Sequence, residues 1–561
     1  MKILNDLLTP ISVRILIHKG NFDVKRMESN ALKAKEVNEK LLFNILEKNK
    51  DTEYGKKYNF DKIQTIEEYR KYVPICEYKD IEEYVERIYN NNEQNVLTSR
   101  EVIGFAKSSG SVGKTKTIPK TKIDTSVYER YTVTKFLALA NQKLKEIKGK
   151  GIKPRKGISL LLHDPTLNDN GLPSSNVADI AEKKYRLVEP YFLILPIGRQ
   201  FTVGEIERNY AFSRFGLEYK DCAFIFFVFA KGITEFIEYI RDNWQSLVNE
   251  IETGTLSEKE KINAETRKQL QAIIKPNPKR ANELRKEFEK GFDETILKRI
   301  WPNLSVISTI GTSVSFEGFI EEIKKYSKDV FIDYSIYGAS EGLMAAAFEP
   351  NNKEQVLLPD SCYYEFIEED DEEAKRIYAI DELEVGKKYE VVLTNQSGFY
   401  RYRIKDVIVV MGYYKNCPTI NFVYRKGQLL NINGEKTTIE HMNEALKRLS
   451  KLTNIDITNW AVDVEKGDRL FRYAIYVENE QEKDLSQYSK ELDQILCEVN
   501  FAYRQYKFTI ENPRIINQKY GTHKEWQEYK IKNGAPPSQV KPVKNLDTQE
   551  KYDFFTKRII K

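Results

Sequence analysis

Apolar residues recur at two spacings along this 561-residue chain, and the spacings divide it into elements. In 23–49, Leu32, Val37, Leu41, Leu42, Ile45 and Leu46 fall on one helical stripe. Residues 66–72 and 81–89 read as short helices around an extended 73–75. A short apolar run at 102–106 enters a Ser/Gly cluster, 125–139 reads as a helix, and 152–162 as a strand. The longest wholly apolar run, 222–230, has the length of a buried strand. Helices are predicted at 232–251, 278–299 and 316–326, and strands at 304–309 and 330–334. From 362 to 424 strands dominate, at 363–367, 389–394, 407–411 and 419–423. Beyond about residue 425, helices at 438–449 and 485–503 alternate with strands at 471–477 and 508–516. The pattern predicts a large α/β N-terminal domain with a β-rich region, followed by a small α+β domain.

Composition narrows the chemistry. The 89 Lys and Arg nearly balance the 84 Asp and Glu, so a net charge of +5 is too dilute to argue for nucleic acid. No apolar run approaches the ~20 residues of a membrane span. Asp6 and Arg14 interrupt any leader-like core, and a cytoplasmic protein is expected. The five cysteines include no CxxC pair, so neither a disulfide framework nor a zinc ribbon is expected. Only four histidines occur, which leaves hydroxyls, carboxylates and lysines to carry the chemistry.

Four segments stand out. Ser108-Ser109-Gly110-Ser111-Val112-Gly113-Lys114-Thr115-Lys116 alternates hydroxyls and glycines ahead of two lysines, a composition suited to phosphate oxygens. A Walker loop is excluded because Ser108 stands where its first glycine belongs, and Pro119 breaks the helix that should follow. Tyr337-Gly338-Ala339-Ser340-Glu341 offers an aromatic face, a hydroxyl and a hard carboxylate. Tyr400-Arg401-Tyr402-Arg403-Ile404-Lys405-Asp406 precedes a strand, and Phe422 to Gly427 with Leu430 to Lys436 follows the next one. Each alone reads equally as a turn or a strand end. Their order and position at the expected domain junction are much harder to obtain by chance.

Together these segments resemble the motifs of adenylate-forming enzymes. Lys405 stands where that superfamily's Tyr-Arg-x-Gly-Asp has glycine. Further stretches resemble one branch in particular, the GH3 acyl-acid amido synthetases, in a bacterial-type form. They are 52–56, 73–75 with Tyr78, 301–304, 309–313, Leu358-Pro359-Asp360-Ser361-Cys362-Tyr363-Tyr364-Glu365-Phe366 and, toward the C-terminus, Asn500, Tyr503, 521–522 and 539–542, where Val540 departs from the pattern. The resemblance implies an N-terminal adenylate-forming domain over 1–425, a hinge at 426–435 and a mobile C-terminal lid at 436–561. It implies that ATP and Mg²⁺ are used to activate a carboxylic acid as acyl-AMP, which an amine, such as that of an amino acid, then captures. The alternative keeps the first step and passes the acyl group to a thiol, as an acyl-CoA or acyl-carrier ligase does. Carried over residue by residue, the catalytic groups are Lys436, Glu341 and Lys116, with Glu341 holding Mg²⁺. Nucleotide contacts fall to Ser108, Ser109, Gly110, Ser111, Thr312, Tyr337, Gly338, Ser340, Asp406 and Arg425. Lys135 occupies the place of an arginine that pairs with the acyl carboxylate in some members, although an exposed helix lysine explains it as well. The implied partners are small molecules, without nucleic acid or membrane. The residues beyond Lys541 are expected to form a loosely docked helix.

Overall fold

A computed structural model of the chain describes residues 2–108, 116–163, 166–175, 177–182, 186–311, 317–369, 371, 373–425, 432, 435, 437, 439–533, 543–546 and 548–560. The chain divides into two compact units. One comprises Met1–Lys107 and Thr117–Val423, the other Tyr424–Lys561 together with Ser108–Lys116.

The larger unit is mixed α/β. A three-stranded sheet has the order β2 (Lys116–Thr121), β1 (Val102–Ser108), β4 (Ser174–Ser175). A four-stranded sheet runs β3 (Ile158–Ser159), β5 (Phe224–Phe229), β6 (Val306–Ile310), β7 (Phe331–Asp333), with every pair parallel. Both faces of such a sheet need cover, which explains why β5 reads as an unbroken apolar run. The third sheet has seven strands, in the order β11 (Tyr363–Glu368), β12 (Lys388–Thr394), β13 (Tyr402–Tyr414), β14 (Cys417–Arg425), β10 (Gln355–Leu357), β9 (Leu343–Ala347), β8 (Ile336–Gly338).

The predicted helix at 23–49 is two helices. α1 (Lys2–Leu32) and α2 (Ala34–Asn49) meet at Lys33, where the backbone leaves helical geometry. The helix after β2 is interrupted as well: α3 (Lys122–Glu129) passes through a five-residue π turn, Arg130–Thr134, into α4 (Lys135–Lys148). Asp360 receives Tyr131 Oη at 2.5 Å and Arg130 Nη1 at 2.8 Å, so the Leu358–Phe366 stretch anchors this turn. The strand expected at 152–162 shrinks to the two residues of β3.

In the smaller unit β15 (Asn459–Lys466) pairs antiparallel with β16 (Phe471–Glu478), which pairs parallel with β17 (Arg514–Asn517). Met442, Leu446, Leu492 and Leu496 pack over Tyr473, Ile475 and Val477. The helix expected at 485–503 breaks at Asn500, whose side chain caps a new turn through Tyr503 N. The C-terminal stretch is docked, not loose. Helix α5 (Gln549–Thr556) buries Phe555 completely, Gln518 Nε2 donates to Phe555 O at 3.0 Å, and Arg558 stacks on Phe554 at 3.6 Å. The same closure ties 544–546 to Val462 through Val462 N→Lys544 O and Leu546 N→Val462 O, each 3.0 Å.

Candidate functional site

The Tyr337–Glu341 segment forms a hairpin. β8 and β9 pair antiparallel, and Ala339 and Gly342 exchange backbone bonds of 2.8 and 3.2 Å across the turn. This places Gly338 at the surface, Ala339 and Ser340 half-exposed, and Glu341 inside at 2% exposure. Two neighbours hold the turn. Asn395 Nδ2 donates to Glu341 O at 2.8 Å. A Cβ on Gly342 would lie 2.6 Å from Cys362 Sγ, so glycine is what lets the turn seat on the Leu358–Phe366 stretch.

Asp406 is brought to the same place. It sits on β13, buried, and accepts the Tyr337 hydroxyl at 2.9 Å. Two segments 69 residues apart in the chain are thereby joined side chain to side chain. The Tyr337 ring packs against Phe422, 5.7 Å between centroids. Lys405, at the superfamily's glycine position, has φ +66°, a left-handed backbone that glycine adopts without cost. The turn geometry therefore survives the substitution under strain. The ladder with β12 is irregular there: three residues of β13, 404–406, stand opposite one of β12. The Lys405 ammonium pairs with Glu77 at 3.0 Å.

Further residues support this arrangement. Tyr78 Oη accepts Thr117 N at 3.0 Å and lies 3.2 Å from Thr117 O, pinning β2 immediately after Lys116. Burial pushes its phenol up to about 12, and the nearby Glu341 charge adds to the rise. Asn395 Oδ1 accepts Ser397 N and Phe399 N, both 3.0 Å, shaping the loop into β13. Gly398 in that loop has φ +99°, and a Cβ there would meet the Leu97 backbone at 2.7 Å. Arg401 donates to Glu365 at 2.8 Å and to the carbonyls of Arg70 and Val73 at 3.0 and 2.8 Å. Asn395 and Gly398 belong to the turn before β13, where the only sequence signal was turn composition, whereas Tyr78 opens the helix Tyr78–Asn91.

Lys135 is neither exposed nor open to a substrate. It is 0% exposed and donates to Asp333 at 3.1 Å, Ser335 O at 3.0 Å and Ala347 O at 2.9 Å, which uses all three ammonium hydrogens. Burial pushes its pKa below the ordinary lysine value, against the pull of Asp333. Of the remaining expected residues, Lys116 begins β2 and is half-buried. Ser108 ends β1 and Arg425 ends β14. Ser109, Gly110, Ser111, Thr312 and Lys436 lie outside the described residues, as do eight of the ten hinge positions 426–435. Among the described residues no three His, Cys, Asp or Glu side chains form a metal-holding group. No described helix is long and apolar enough to cross a membrane.

Comparison with known proteins covers all three parts of the chain. The GH3 family N-terminal domain matches residues 23–332, the GH3 family central domain 355–425, and the GH3 family C-terminal domain 438–550. An indole-3-acetic acid-amido synthetase, GH3.8 of Oryza sativa subsp. indica, is 29% identical, covering 74% of this chain and 70% of its own. The 4-substituted benzoates-glutamate ligase GH3.12 of Arabidopsis thaliana is 26% identical, covering 93% of this chain and 96% of its own. In fold, the chain is similar to the AtGH3.15 acyl acid amido synthetase in complex with 2,4-DB. That likeness has a TM-score of 0.63, 24% identity and coverage of 96% on both sides.

Proposed function

The chain belongs to the GH3 family, and from that premise we propose that it is a cytoplasmic AMP-forming ligase that joins a carboxylic acid to an amine, such as that of an amino acid. The observation that carries the reading is the Tyr337 to Asp406 bond, which assembles an aromatic face, a buried carboxylate and the Glu341 turn at one place.

In the first half-reaction a carboxylate oxygen of the acid attacks the α-phosphorus of ATP. A P–O bond forms to the acid and the bond to the β-phosphate breaks, releasing pyrophosphate. In the second, the amine nitrogen attacks the acyl carbon, a C–N bond forms, the acyl–phosphate bond breaks and AMP leaves. The amine gives up its proton to solvent.

No protein nucleophile is required, because the acid is already an anion and the barrier lies in bringing two anions together. The 108–116 segment, with Lys116, supplies backbone N–H groups, hydroxyls and a cation to the phosphates, and Lys436 supplies a second cation. Tyr337 offers its ring to adenine, and Asp406 accepts from the ribose hydroxyls. Arg425 and the glycines of 426–435 form a hinge that lets the smaller domain exclude water from acyl-AMP. Mg²⁺ fits the donor set: it is usually held by one or two carboxylates and the substrate phosphates, and Glu341 is one hard carboxylate on a fixed turn. When bound, the ion neutralises phosphate charge.

Pyrophosphate release is the test, measured over aryl, indolyl and aliphatic acids, with and without pooled amino acids. Acid-dependent release with AMP as co-product, raised further by an amino acid, is the expected result. Stimulation by CoA instead would assign the thiol alternative. ADP as product would overturn the reading.

A further inference from the structure

α1 is apolar on two sides. Its inner side, Val13, Leu16 and Ile17 among others, packs on Phe136, Leu137 and Ala140 of α4. Its outer side carries a second stripe, Leu7 at 68% exposed, Ile11 at 54%, Ile15 at 61% and Phe22 at 68%. A surface helix of a globular protein keeps its apolar residues to one stripe, and a helix apolar all round has cover on every side. The outer stripe of α1 therefore calls for a second partner.

Charge identifies that partner. Only two carboxylates lie between Leu7 and Leu32, and both turn inward. Asp23 is buried and accepts Thr134 Oγ1 at 2.8 Å, while Glu28 meets the Tyr414 hydroxyl at 3.5 Å. Of the cations, Lys19 pairs with Glu129 and Arg26 with Asp360. Arg14 and Lys25 stay exposed on the outer side with His18, and neither cation has a carboxylate partner among the described residues. A second copy is a poor fit. Pairing two identical stripes sets cation against cation with no acid to answer.

We propose that the outer face of α1 docks on an anionic lipid surface, with Leu7, Ile11, Ile15 and Phe22 entering the headgroup boundary while Arg14 and Lys25 meet lipid phosphates. The lack of a membrane-crossing helix among the described residues does not bear on this, since the helix would lie on the surface and not span.

Flotation of the full chain with vesicles tests it, using phosphatidylcholine alone and phosphatidylcholine with about one third phosphatidylglycerol. Bound fraction should rise at least about ten-fold with the anionic lipid and fall with added salt. Ile11→Glu/Ile15→Glu should abolish binding and Arg14→Glu/Lys25→Glu should weaken it, both variants keeping the wild-type circular dichroism and melting curve because all four side chains are exposed. Equal binding to neutral vesicles, no binding to either, or unchanged binding by Ile11→Glu/Ile15→Glu would overturn the proposal. So would a dimer in sedimentation that Ile15→Glu dissociates, which would assign the face to a second copy.

Discussion

Replacing Lys135 with methionine separates a structural lysine from a substrate-binding one. The substitution keeps length and apolar bulk but deletes an ammonium with three acceptors. Asp333 would remain buried as a carboxylate with the Ser308 hydroxyl at 2.7 Å, and two carbonyls would lose a donor. Removing one partner of a buried ion pair costs about 3–5 kcal/mol, much of it the desolvation of the charge left behind. The larger unit has roughly 400 residues. At about 2.1 cal/mol/K per residue its unfolding entropy is about 0.9 kcal/mol/K, so the loss corresponds to a drop of about 3–6 °C in melting temperature. Scanning calorimetry on Lys135→Met measures it, with Lys135→Met/Asp333→Leu as the control. Exchanging both partners for apolar groups removes the stranded charge and should recover most of the loss. A shift below about 1 °C, coupled with a sharp rise in the Michaelis constant for the acid, would refute the structural assignment.

Three other outcomes are expected. Tyr337→Phe removes the donor to Asp406 and should raise KM for ATP about ten-fold, the weight of a bond to a charged group, while leaving KM for the acid unchanged. Its preference for ATP over 2′-deoxy-ATP should narrow; an undiminished preference would mean that the hydroxyl does not position Asp406. Lys405→Gly should be more stable than Lys405→Ala by about 1 kcal/mol in urea unfolding, since both lose the Glu77 pair and only glycine relieves the left-handed backbone. His523 is buried beside Lys544, and burial lowers its pKa to about 4. The unfolded chain binds that proton first, so stability is complete above the ordinary value of 6.5 and falls between 6.5 and 4, by about 3 kcal/mol in all. His523→Gln should flatten that part of the pH–stability curve for the smaller unit, and an unchanged curve would refute the claim.

The parts of the fold that sequence made legible are those where one interaction dominates. β5 and β6 announce themselves because buried parallel strands are apolar on both faces. Strands β11 and β12 do so through length and β-branched or aromatic content. Breaks inside helices were invisible. The π turn at Arg130–Thr134 is held by Asp360, and at the α1–α2 break Leu32 O accepts Asn416 Nδ2 at 2.8 Å, partners that sit more than 200 residues away. In the candidate site the residue types of the Tyr337–Glu341 turn and of Asp406 were readable, but their contact was not. Lys135 misled because a lysine on a helix reads as exposed, and nothing local signals that three acceptors from distant strands converge on it.

The π turn also bears on how this helix can diversify. A π turn holds one residue more than an α turn over nearly the same rise, so every side chain after it is rotated by about 100° from where an uninterrupted helix would aim it. Position counting from the phosphate segment is therefore out of phase beyond Thr134 against any homologue whose helix is continuous. A single codon deletion within Arg130–Thr134 would turn the π turn into an α turn and leave both the path of α4 and the side chains it presents almost unchanged. A turn of this kind lets evolution, or a designer, add or remove one residue at this point without rebuilding the scaffold that follows it.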